Sequence, residues 1–323
     1  MDHSDIDQQA LQNCITQTQV SGLSVPYRGK VRDVYPLGDD KLGIVASDRI
    51  SAFDHIMNQP IPYKGQILTS LAAFSFRKVE DLVDTHLIDI PHPNVTIAKR
   101  CDPIPIEVVI RACLTGHAKR VYQSGKRSLC GVNLPDGMVK NQFFEEPILT
   151  PATKAEEGHD EDISEQEILE RGIVDEDIWM EIREKAFNIF ARGQEIANRQ
   201  GLILVDTKYE FGLHNGNVIL IDEVHTADSS RYFYANEYKE RLKKGQPQKQ
   251  LSKEFLREWL MDKGFQGKEA QTLPDLPEAF RKKITQRYAE LYKKLTGQTF
   301  EPALIDVAHF DEELHRILSP YQS

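Results

Sequence analysis

The most constraining feature of this sequence is an Asn-Gly pair that separates two apolar runs. The pair is Asn215-Gly216, and the runs cover residues 202–211 and 217–224. Asn-Gly accepts the left-handed backbone of a tight turn, and it is the strongest short-range signal for a β-hairpin. The sequence therefore predicts two adjacent antiparallel strands in this part of the chain.

The first of these strands carries charged residues at alternate positions. Asp206, Lys208 and Glu210 are expected to share one face, because successive side chains of a strand point to opposite faces. Asp222 and Glu223 lie on the partner strand. The register of the hairpin decides which of these two carboxylates joins the charged face.

Two registers are possible. A two-residue turn pairs Lys208 with Glu223 and sends Asp222 to the opposite face, whereas a three-residue loop over 215–217 places Glu210 opposite Asp222. Facing carboxylates repel each other unless a cation lies between them. Mg²⁺ is commonly held by one or two carboxylates together with substrate phosphates. The hairpin is thus either a metal site or an ordinary charged, solvent-facing hairpin.

A second candidate site is the segment YRGKVRDVY at 27–35. Gly29 at a turn between strands, followed by Lys30, would let backbone amides approach a polyphosphate while the ammonium neutralises it. A plain hairpin turn is the alternative. The sequence contains neither a Walker loop nor a G-x-G-x-x-G fingerprint. Three further segments place an arginine among small hydroxyl or glycine residues, as an anion clamp or a simple turn would; they are 47–54, 109–117 and 228–231.

Composition narrows the possible functions. The 323 residues suggest about two domains, and 40 basic against 50 acidic residues disfavour nucleic-acid binding. The apolar runs are too short to span a membrane, which takes about 18 residues. The acidic N-terminus does not resemble a secretory signal, so a cytoplasmic protein is expected. The four cysteines lack metal-ligand spacing and are expected to be reduced thiols.

Helix signals occur at both ends of the chain and in its middle. A helix is predicted within 7–19, and Ser164 with Glu167 forms a capping box. A long helix is predicted from about 175 to 201, and the last third of the chain is predicted to be helical.

Six segments occur in the order and approximate spacing typical of one enzyme family. They are YRGKVRDVY, SDRISAFD, VVIRACLTGH, TPATKAEEGHD, LILVDTKYEFG and IDEVHTADSSRY. Through most of its length the chain resembles the phosphoribosylaminoimidazole-succinocarboxamide synthase (SAICAR synthetase) family, and the likeness is looser beyond about Lys268. The resemblance implies an α+β fold related to ATP-grasp proteins and protein kinases. It would comprise a small antiparallel-sheet lobe (1–103), a larger mixed lobe (104–268) and a helical extension of the larger lobe (269–323).

The resemblance also implies an activity. The family is an ATP-dependent ligase of de novo purine biosynthesis. It joins the carboxylate of CAIR (5-amino-1-(5-phosphoribosyl)imidazole-4-carboxylate) to the amine of L-aspartate, using ATP and Mg²⁺ and giving SAICAR, ADP and phosphate. A carboxylate resists attack by an amine, so an acyl phosphate formed by γ-phosphoryl transfer is expected. In such a transfer the protein mainly positions groups and neutralises charge. The implied partners are these small molecules, and the chain would be a monomer or a homodimer.

Nucleotide and metal roles follow from the resemblance. Gly29 and Lys30 would form the loop over the ATP phosphates, assisted by Arg32. Glu210 and Asp222 would hold Mg²⁺, and this ligand pair favours the three-residue loop of the hairpin. The adenine ring would lie between the two lobes.

Substrate roles are also implied. Lys208 would neutralise the CAIR carboxylate and form the catalytic set with Asp206 and Asp160. The implied substrate-binding residues are Arg111, His117, Arg231, Ser230, Asp48 and Lys154. Arg111 and Arg231 would clamp the ribotide 5′-phosphate, while Lys154 or Arg49 could meet the L-aspartate carboxylates.

His117 departs from the family pattern. The family often has Thr-Gly-Ser where this chain has Thr115-Gly116-His117. An imidazole can also donate to phosphate, but it is larger than a hydroxyl and its charge depends on pH.

Overall fold

The computed structural model describes residues 6–23, 27–154 and 161–322. The helices are α1 (Gln8–Gln12), α2 (Lys64–Arg77), α3 (Gly116–Gln123), α4 (Glu165–Glu170), α5 (Glu176–Arg199), α6 (Ala235–Lys243), α7 (Glu254–Asp262), α8 (Glu278–Thr296) and α9 (Phe310–Leu318). The strands are β1 (Tyr27–Arg28), β2 (Arg32–Leu37), β3 (Lys41–Ala46), β4 (Ser51–Ala52), β5 (His55–Ile56), β6 (Leu87–His92), β7 (Val95–Lys99), β8 (Asp102–Pro103), β9 (Ile106–Cys113), β10 (Ser128–Leu129), β11 (Val132–Asn133), β12 (Phe143–Leu149), β13 (Ala152–Thr153), β14 (Glu161–Asp162), β15 (Leu202–His214), β16 (Asn217–Ile221), β17 (Ser230–Tyr234) and β18 (Gln250–Leu251). Antiparallel sheets with separate helices confirm the predicted α+β class.

The chain divides into two compact units. The first comprises Met1–Phe74, His86–Cys101 and Leu251–Ser323, and the second comprises Ser75–Thr85 and Asp102–Gln250. The C-terminal helices therefore lie in the first unit. The family resemblance had implied that residues 269–323 extend the larger lobe.

Packing explains why the C-terminal helices join the first unit. Its sheet has the strand order β1-β2-β3-β7-β6. Phe310, Leu314 and Leu318 are four residues apart, so they form one apolar face of α9. This face packs on a buried cluster from the sheet that includes Tyr35, Leu37, Val45, Val95 and Ile97. The shared hydrophobic core makes α9 part of the first unit.

The N-terminal helix occupies only the first part of the segment in which it was predicted. α1 ends at Gln12, and the predicted helix within 7–19 does not continue. The carboxylate of Asp48 accepts from the backbone N–H of Ile15 at 2.9 Å, and that of Asp33 accepts from the N–H of Thr18 at 2.7 Å. These side chains take backbone donors that a continued helix would have used.

The second unit is built around β15. Its sheet runs β14-β13-β9-β15-β17-β18, with β12 on β9 and with β16 and β8 on β15. The 13 residues of β15 pair antiparallel with β9 on one side and β17 on the other. Helix α5 covers this sheet with buried residues that include Trp179, Ile182, Ala186, Ile189 and Phe190. This arrangement sets three strands side by side where the charged residues lie.

The observed register of the β15–β16 hairpin corrects one expectation. His214 pairs with Asn217 and Glu210 with Ile221, so the turn has two residues. The three-residue loop implied by the family resemblance is wrong. Asn215 (φ 52°) and Gly216 (φ 79°) both have left-handed backbones. This is the turn whose twist best matches the twist of the two strands.

Other sequence predictions are confirmed. Ser164 and Glu167 form the capping box at the start of α4, and α5 and α8 occupy the predicted helical segments. Within the described ranges, every helix is too short or too polar to cross a lipid bilayer.

Candidate active site

Lys208 is the centre of a charged cluster in the second unit. Its Nζ lies 3.0 Å from Oε1 of Glu107 and 3.7 Å from Oδ2 of Asp222, and it is ion-paired with Oε1 of Glu210. Lys208 and Glu210 share a face of β15 because they are two residues apart, and Glu107 comes from the neighbouring strand β9. The Lys208 side chain is 26 % exposed, so the cluster is open to a ligand.

Strand alternation does not explain why the Asp222 side chain lies in this cluster. β16 ends at Ile221, and Asp222 follows with a left-handed backbone (φ 66°). Aspartate is one of the few residues with a side chain that tolerates this conformation. The turned backbone brings its carboxylate to Lys208 even though the hairpin register alone would point it away.

The cluster keeps Lys208 charged. Burial by itself would lower the pKa of Lys208, but the carboxylates of Glu210, Glu107 and Asp222 outweigh it and raise that pKa well above its ordinary value. Nζ of Lys154 donates to Oε2 of Glu210 at 2.6 Å. Here too burial opposes the charge, but Glu210 raises the pKa of Lys154 above its ordinary value. Two ammonium groups therefore converge on one buried carboxylate.

The carboxylates of Glu210 and Asp222 suit a metal ion that takes its other ligands from a nucleotide and from water. Among the described residues, no group of three or more histidine, cysteine, aspartate or glutamate side chains could hold a metal ion by itself. Glu210 and Asp222 nevertheless approach the same ammonium group. Since Mg²⁺ takes one or two carboxylates and completes its shell with phosphates and water, this pair suits a nucleotide-bound Mg²⁺.

A second cluster lies two residues earlier on β15. Oδ2 of Asp206 accepts a hydrogen bond from Nη1 of Arg231 at 2.7 Å and lies 3.4 Å from Nη1 of Arg111. Arg111 is opposite Asp206 on β9, and Arg231 is opposite it on β17. Burial lowers the pKa of Arg111, and Asp206 opposes that shift. Nε of Arg111 also donates to Oγ1 of Thr150 at 2.9 Å. One carboxylate thus aligns two guanidinium groups.

Gly116 lets the Arg231 guanidinium lie against the backbone at the start of α3. Its φ is 52°, and a Cβ at this position would lie 2.8 Å from both Nη1 and Nη2 of Arg231. Next to Arg231, Oγ of Ser230 shares a hydrogen bond with Oγ1 of Thr207 at 2.8 Å. Guanidinium groups, a hydroxyl and the N-terminus of a helix together suit a phosphate.

His117 follows Gly116 but contacts a carboxylate. Its Nε2 lies 2.7 Å from Oδ2 of Asp162 on β14. The hydrogen bond with His117 lowers the pKa of Asp162 below its ordinary value. Any role of His117 in binding phosphate therefore competes with this hydrogen bond.

Glu107, Thr150 and Asp162 belong to the two clusters but were not predicted from the sequence. Strand alternation could have found Glu107, since it lies four residues before Arg111 on β9 and shares its face. Thr150 begins the quoted segment TPATKAEEGHD, but no role was assigned to it there, and Asp162 lies just beyond that segment.

The Gly29 turn lies in the first unit. The N–H of Gly29 donates to the carbonyl of Arg32 at 2.8 Å, and Lys30 is ion-paired with Asp54. Nη2 of Arg49 donates to the carbonyl of Gly29 at 3.0 Å. Arg49 therefore supports this turn from inside the unit, and Lys154 is the more accessible of the two cations considered for L-aspartate.

Asp48 also belongs to the interior of the first unit. It is 4 % exposed and accepts from the N–H groups of Ile15 and Gly65 at 2.9 and 3.0 Å. Burial raises the pKa of Asp48 to about 6. Its observed contacts are structural. Asp160, predicted as catalytic, lies outside the residues that the structure describes.

A known protein family matches most of this chain. The sequence model of SAICAR synthetase matches residues 25–273. The chain belongs to the SAICAR synthetase family. It is 50 % identical to phosphoribosylaminoimidazole-succinocarboxamide synthase of Cytophaga hutchinsonii over 88 % of this chain and 92 % of that one. The identity to the enzyme of the same name from Bacteroides thetaiotaomicron is 51 % over 88 % and 91 %.

Solved structures of the SAICAR synthetase family have the same fold. SAICAR synthase from Saccharomyces cerevisiae complexed with SAICAR has a TM-score of 0.76 and 34 % identity, over 89 % of this chain and 100 % of that chain. A SAICAR synthetase in complex with ADP has a TM-score of 0.66 and 26 % identity, over 86 % and 100 %. The predicted family and fold, and the prediction of an ATP-dependent ligase of purine biosynthesis, are confirmed.

Proposed function

We propose that this chain joins the carboxylate of CAIR to the amine of L-aspartate, with conversion of ATP to ADP and phosphate. The observation that carries the proposal is the charged face of β15. On this face the ammonium of Lys208 lies among carboxylates. Asp206, which pairs with two arginines, lies two residues earlier on the same strand. One face can therefore bind both anionic groups of a ribotide, the phosphate and the carboxylate.

The ribotide phosphate is assigned to the arginine cluster. Arg111 and Arg231 present guanidinium groups that Asp206 has already oriented, so little ordering is needed on binding. Ser230 lies beside Arg231 and can add a hydroxyl donor. His117 can contribute once its contact with Asp162 is exchanged for the phosphate.

Lys208 is assigned to the CAIR carboxylate. Its raised pKa keeps the ammonium charged, and this charge holds the carboxylate close to the γ-phosphate despite their mutual repulsion. A carboxylate oxygen bonds to the γ-phosphorus as the bond to the bridging oxygen of ADP breaks. The amine of L-aspartate then attacks the acyl carbon of the acyl phosphate, losing a proton, and phosphate leaves.

The assignments for magnesium and for the nucleotide phosphates follow the family resemblance. Glu210 and Asp222 would hold Mg²⁺, which neutralises phosphate charge when bound. The turn of Gly29 and Lys30, with Arg32, would bind the phosphates through N–H groups and positive charge. Lys154 is the cation beside Glu210 that could meet a carboxylate of L-aspartate.

Lys208→Met tests the proposal. We expect the turnover number to fall by about 10²- to 10³-fold, because the charge that holds the reacting carboxylate is lost. ADP release is measured with CAIR, with and without L-aspartate, and amide formation is followed by ultraviolet absorbance. Lys185→Met is the matched control, since Lys185 is 22 % exposed and lies on α5 of the same unit, where it contacts Glu181 and the carbonyl of Val218.

Two results would contradict the proposal. Near-normal turnover in Lys208→Met would remove Lys208 from the reaction. Phosphorylated acceptor without an aspartate adduct in the unaltered protein would identify a kinase instead of a ligase.

A further inference from the structure

The loop of residues 222–229 joins the two clusters of the site. It starts at Asp222, beside Lys208, and runs into Ser230 at the start of β17. Inside the loop, Oγ1 of Thr226 donates to Oε2 of Glu223 at 2.6 Å, and the carbonyl of Thr226 accepts from the N–H of Ser230 at 3.0 Å. These bonds hold the 222–229 loop in a compact turn.

His225 fixes the 222–229 loop to the interior of the second unit. His225 is 3 % exposed, and its Nε2 lies 2.7 Å from the hydroxyl of Tyr209. Its carbonyl accepts from the hydroxyl of Tyr232 at 3.0 Å. Burial lowers the pKa of His225 to about 3, so the ring is neutral at physiological pH. This buried, neutral imidazole takes no part in the chemistry assigned above.

Helix α5 has a glycine, Gly193, where it packs against this imidazole. A Cβ on Gly193 would lie 2.4 Å from Cε1 and 2.6 Å from Nε2 of His225, so no other residue fits at this position without displacing the ring. Glycine inside a helix destabilises it relative to alanine. Its presence at the point of contact indicates a packing requirement.

Strand β15 carries both the anchor and the reacting face. Tyr209 lies between Lys208 and Glu210 in sequence, so its side chain points to the opposite face of the strand. The hydroxyl that holds His225 and the ammonium that contacts Asp222 therefore belong to adjacent residues of one rigid strand. A fixed His225 fixes the start of the loop relative to the charged cluster.

We propose that His225 is a positioning residue that holds the Asp222 carboxylate toward Lys208 and thereby sets the affinity of the site for a magnesium-bound nucleoside diphosphate. The inference rests on the proposed function, in which Asp222 is a magnesium ligand. His225 acts through Asp222 and does not touch the substrates.

Tyr209→Phe and Gly193→Ala test this role by a binding measurement. Affinity for ADP is measured by calorimetry with and without Mg²⁺, and the ratio of the two affinities is the readout. Tyr209→Phe removes one neutral hydrogen bond from His225, and we expect the ratio to fall about fivefold. Gly193→Ala displaces the ring itself, and we expect about a tenfold fall.

Tyr238→Phe is the matched control. The buried hydroxyl of Tyr238 donates to the carbonyl of Asn141 at 2.7 Å in the same unit. Its removal should lower the melting temperature about as much as Tyr209→Phe does and leave the magnesium ratio unchanged. An equal ratio in Tyr209→Phe and Tyr238→Phe would overturn the positioning role.

Asp222→Asn separates this inference from the proposed function. Asparagine keeps the left-handed backbone but loses the charge, so the ratio should fall further than in Tyr209→Phe. If Asp222→Asn leaves the ratio unchanged, the magnesium assignment fails and the inference fails with it. If Asp222→Asn lowers the ratio and Tyr209→Phe and Gly193→Ala do not, the magnesium assignment stands and the role of His225 is refuted.

Discussion

Gly116→Ala should impair ribotide binding much more than it impairs folding. At φ 52°, an alanine costs about 1 kcal/mol of stability relative to glycine. The added Cβ would also lie 2.8 Å from both terminal nitrogens of Arg231, whereas ordinary contact begins at 3.4 Å. The guanidinium must therefore move by about 0.6 Å. Because Arg231 is buried and paired with Asp206 at 2.7 Å, it cannot move freely.

The expected loss of affinity for CAIR arises because the Arg231 guanidinium is proposed to bind the ribotide phosphate. A hydrogen bond to a charged group contributes about 1.5–3 kcal/mol, and a displaced Arg231 would lose part of its bond to the ribotide phosphate. A loss of about 1.4 kcal/mol raises the KM for CAIR about tenfold. The KM for ATP should not change, since Arg231 is not assigned to the nucleotide.

Steady-state kinetics and urea unfolding together check this prediction. Gly245→Ala is the control: Gly245 has φ 63° and open space around its Cβ position, so alanine brings the same backbone strain without a clash. Both variants should unfold at similar urea concentrations, and only Gly116→Ala should raise the KM for CAIR. The same KM for CAIR in both variants would refute the contact between Gly116 and Arg231 as a determinant of binding.

The other two predictions concern stability. His225 is buried with a pKa near 3 against an ordinary value of 6.5, so as pH falls below 6.5 the unfolded chain takes up a proton that the folded chain excludes. The free energy of unfolding should therefore fall by about 1.4 kcal/mol per pH unit from this residue, and His225→Asn should give a shallower slope in urea titrations between pH 6.5 and 4; an unchanged slope would contradict the burial argument. Leu314→Ala should destabilise the first unit by about 3 kcal/mol because it empties a core position of α9. Leu304→Ala, at a residue that is 90 % exposed, should change the free energy of unfolding little, and equal effects in calorimetry would place α9 outside the core.

Strand alternation predicted the centre of the site from sequence. It placed Lys208 and Glu210 on one face of β15, and the same rule applied to β9 would have added Glu107. The hairpin turn was visible in Asn215-Gly216. These features are local, since they depend on residues a few positions apart along one strand or one turn.

Other features depend on tertiary contacts and could not be predicted in the same way. The left-handed backbone that turns Asp222 toward Lys208 has no signature in the flanking sequence. The family resemblance implied that Asp48 binds substrate, but its carboxylate accepts backbone N–H groups in the interior of the first unit. The apolar stripe of α9 is visible in the sequence, but it does not identify the sheet that covers it.

The left-handed backbone at position 222 restricts how this site can diverge. Glycine, asparagine and aspartate are the residues that accept such a φ at low cost, and of these only aspartate carries a negative charge. Glutamate would preserve the charge but strain the chain, so a substitution that looks conservative should be rejected there. Backbone geometry and charge together therefore favour aspartate at position 222.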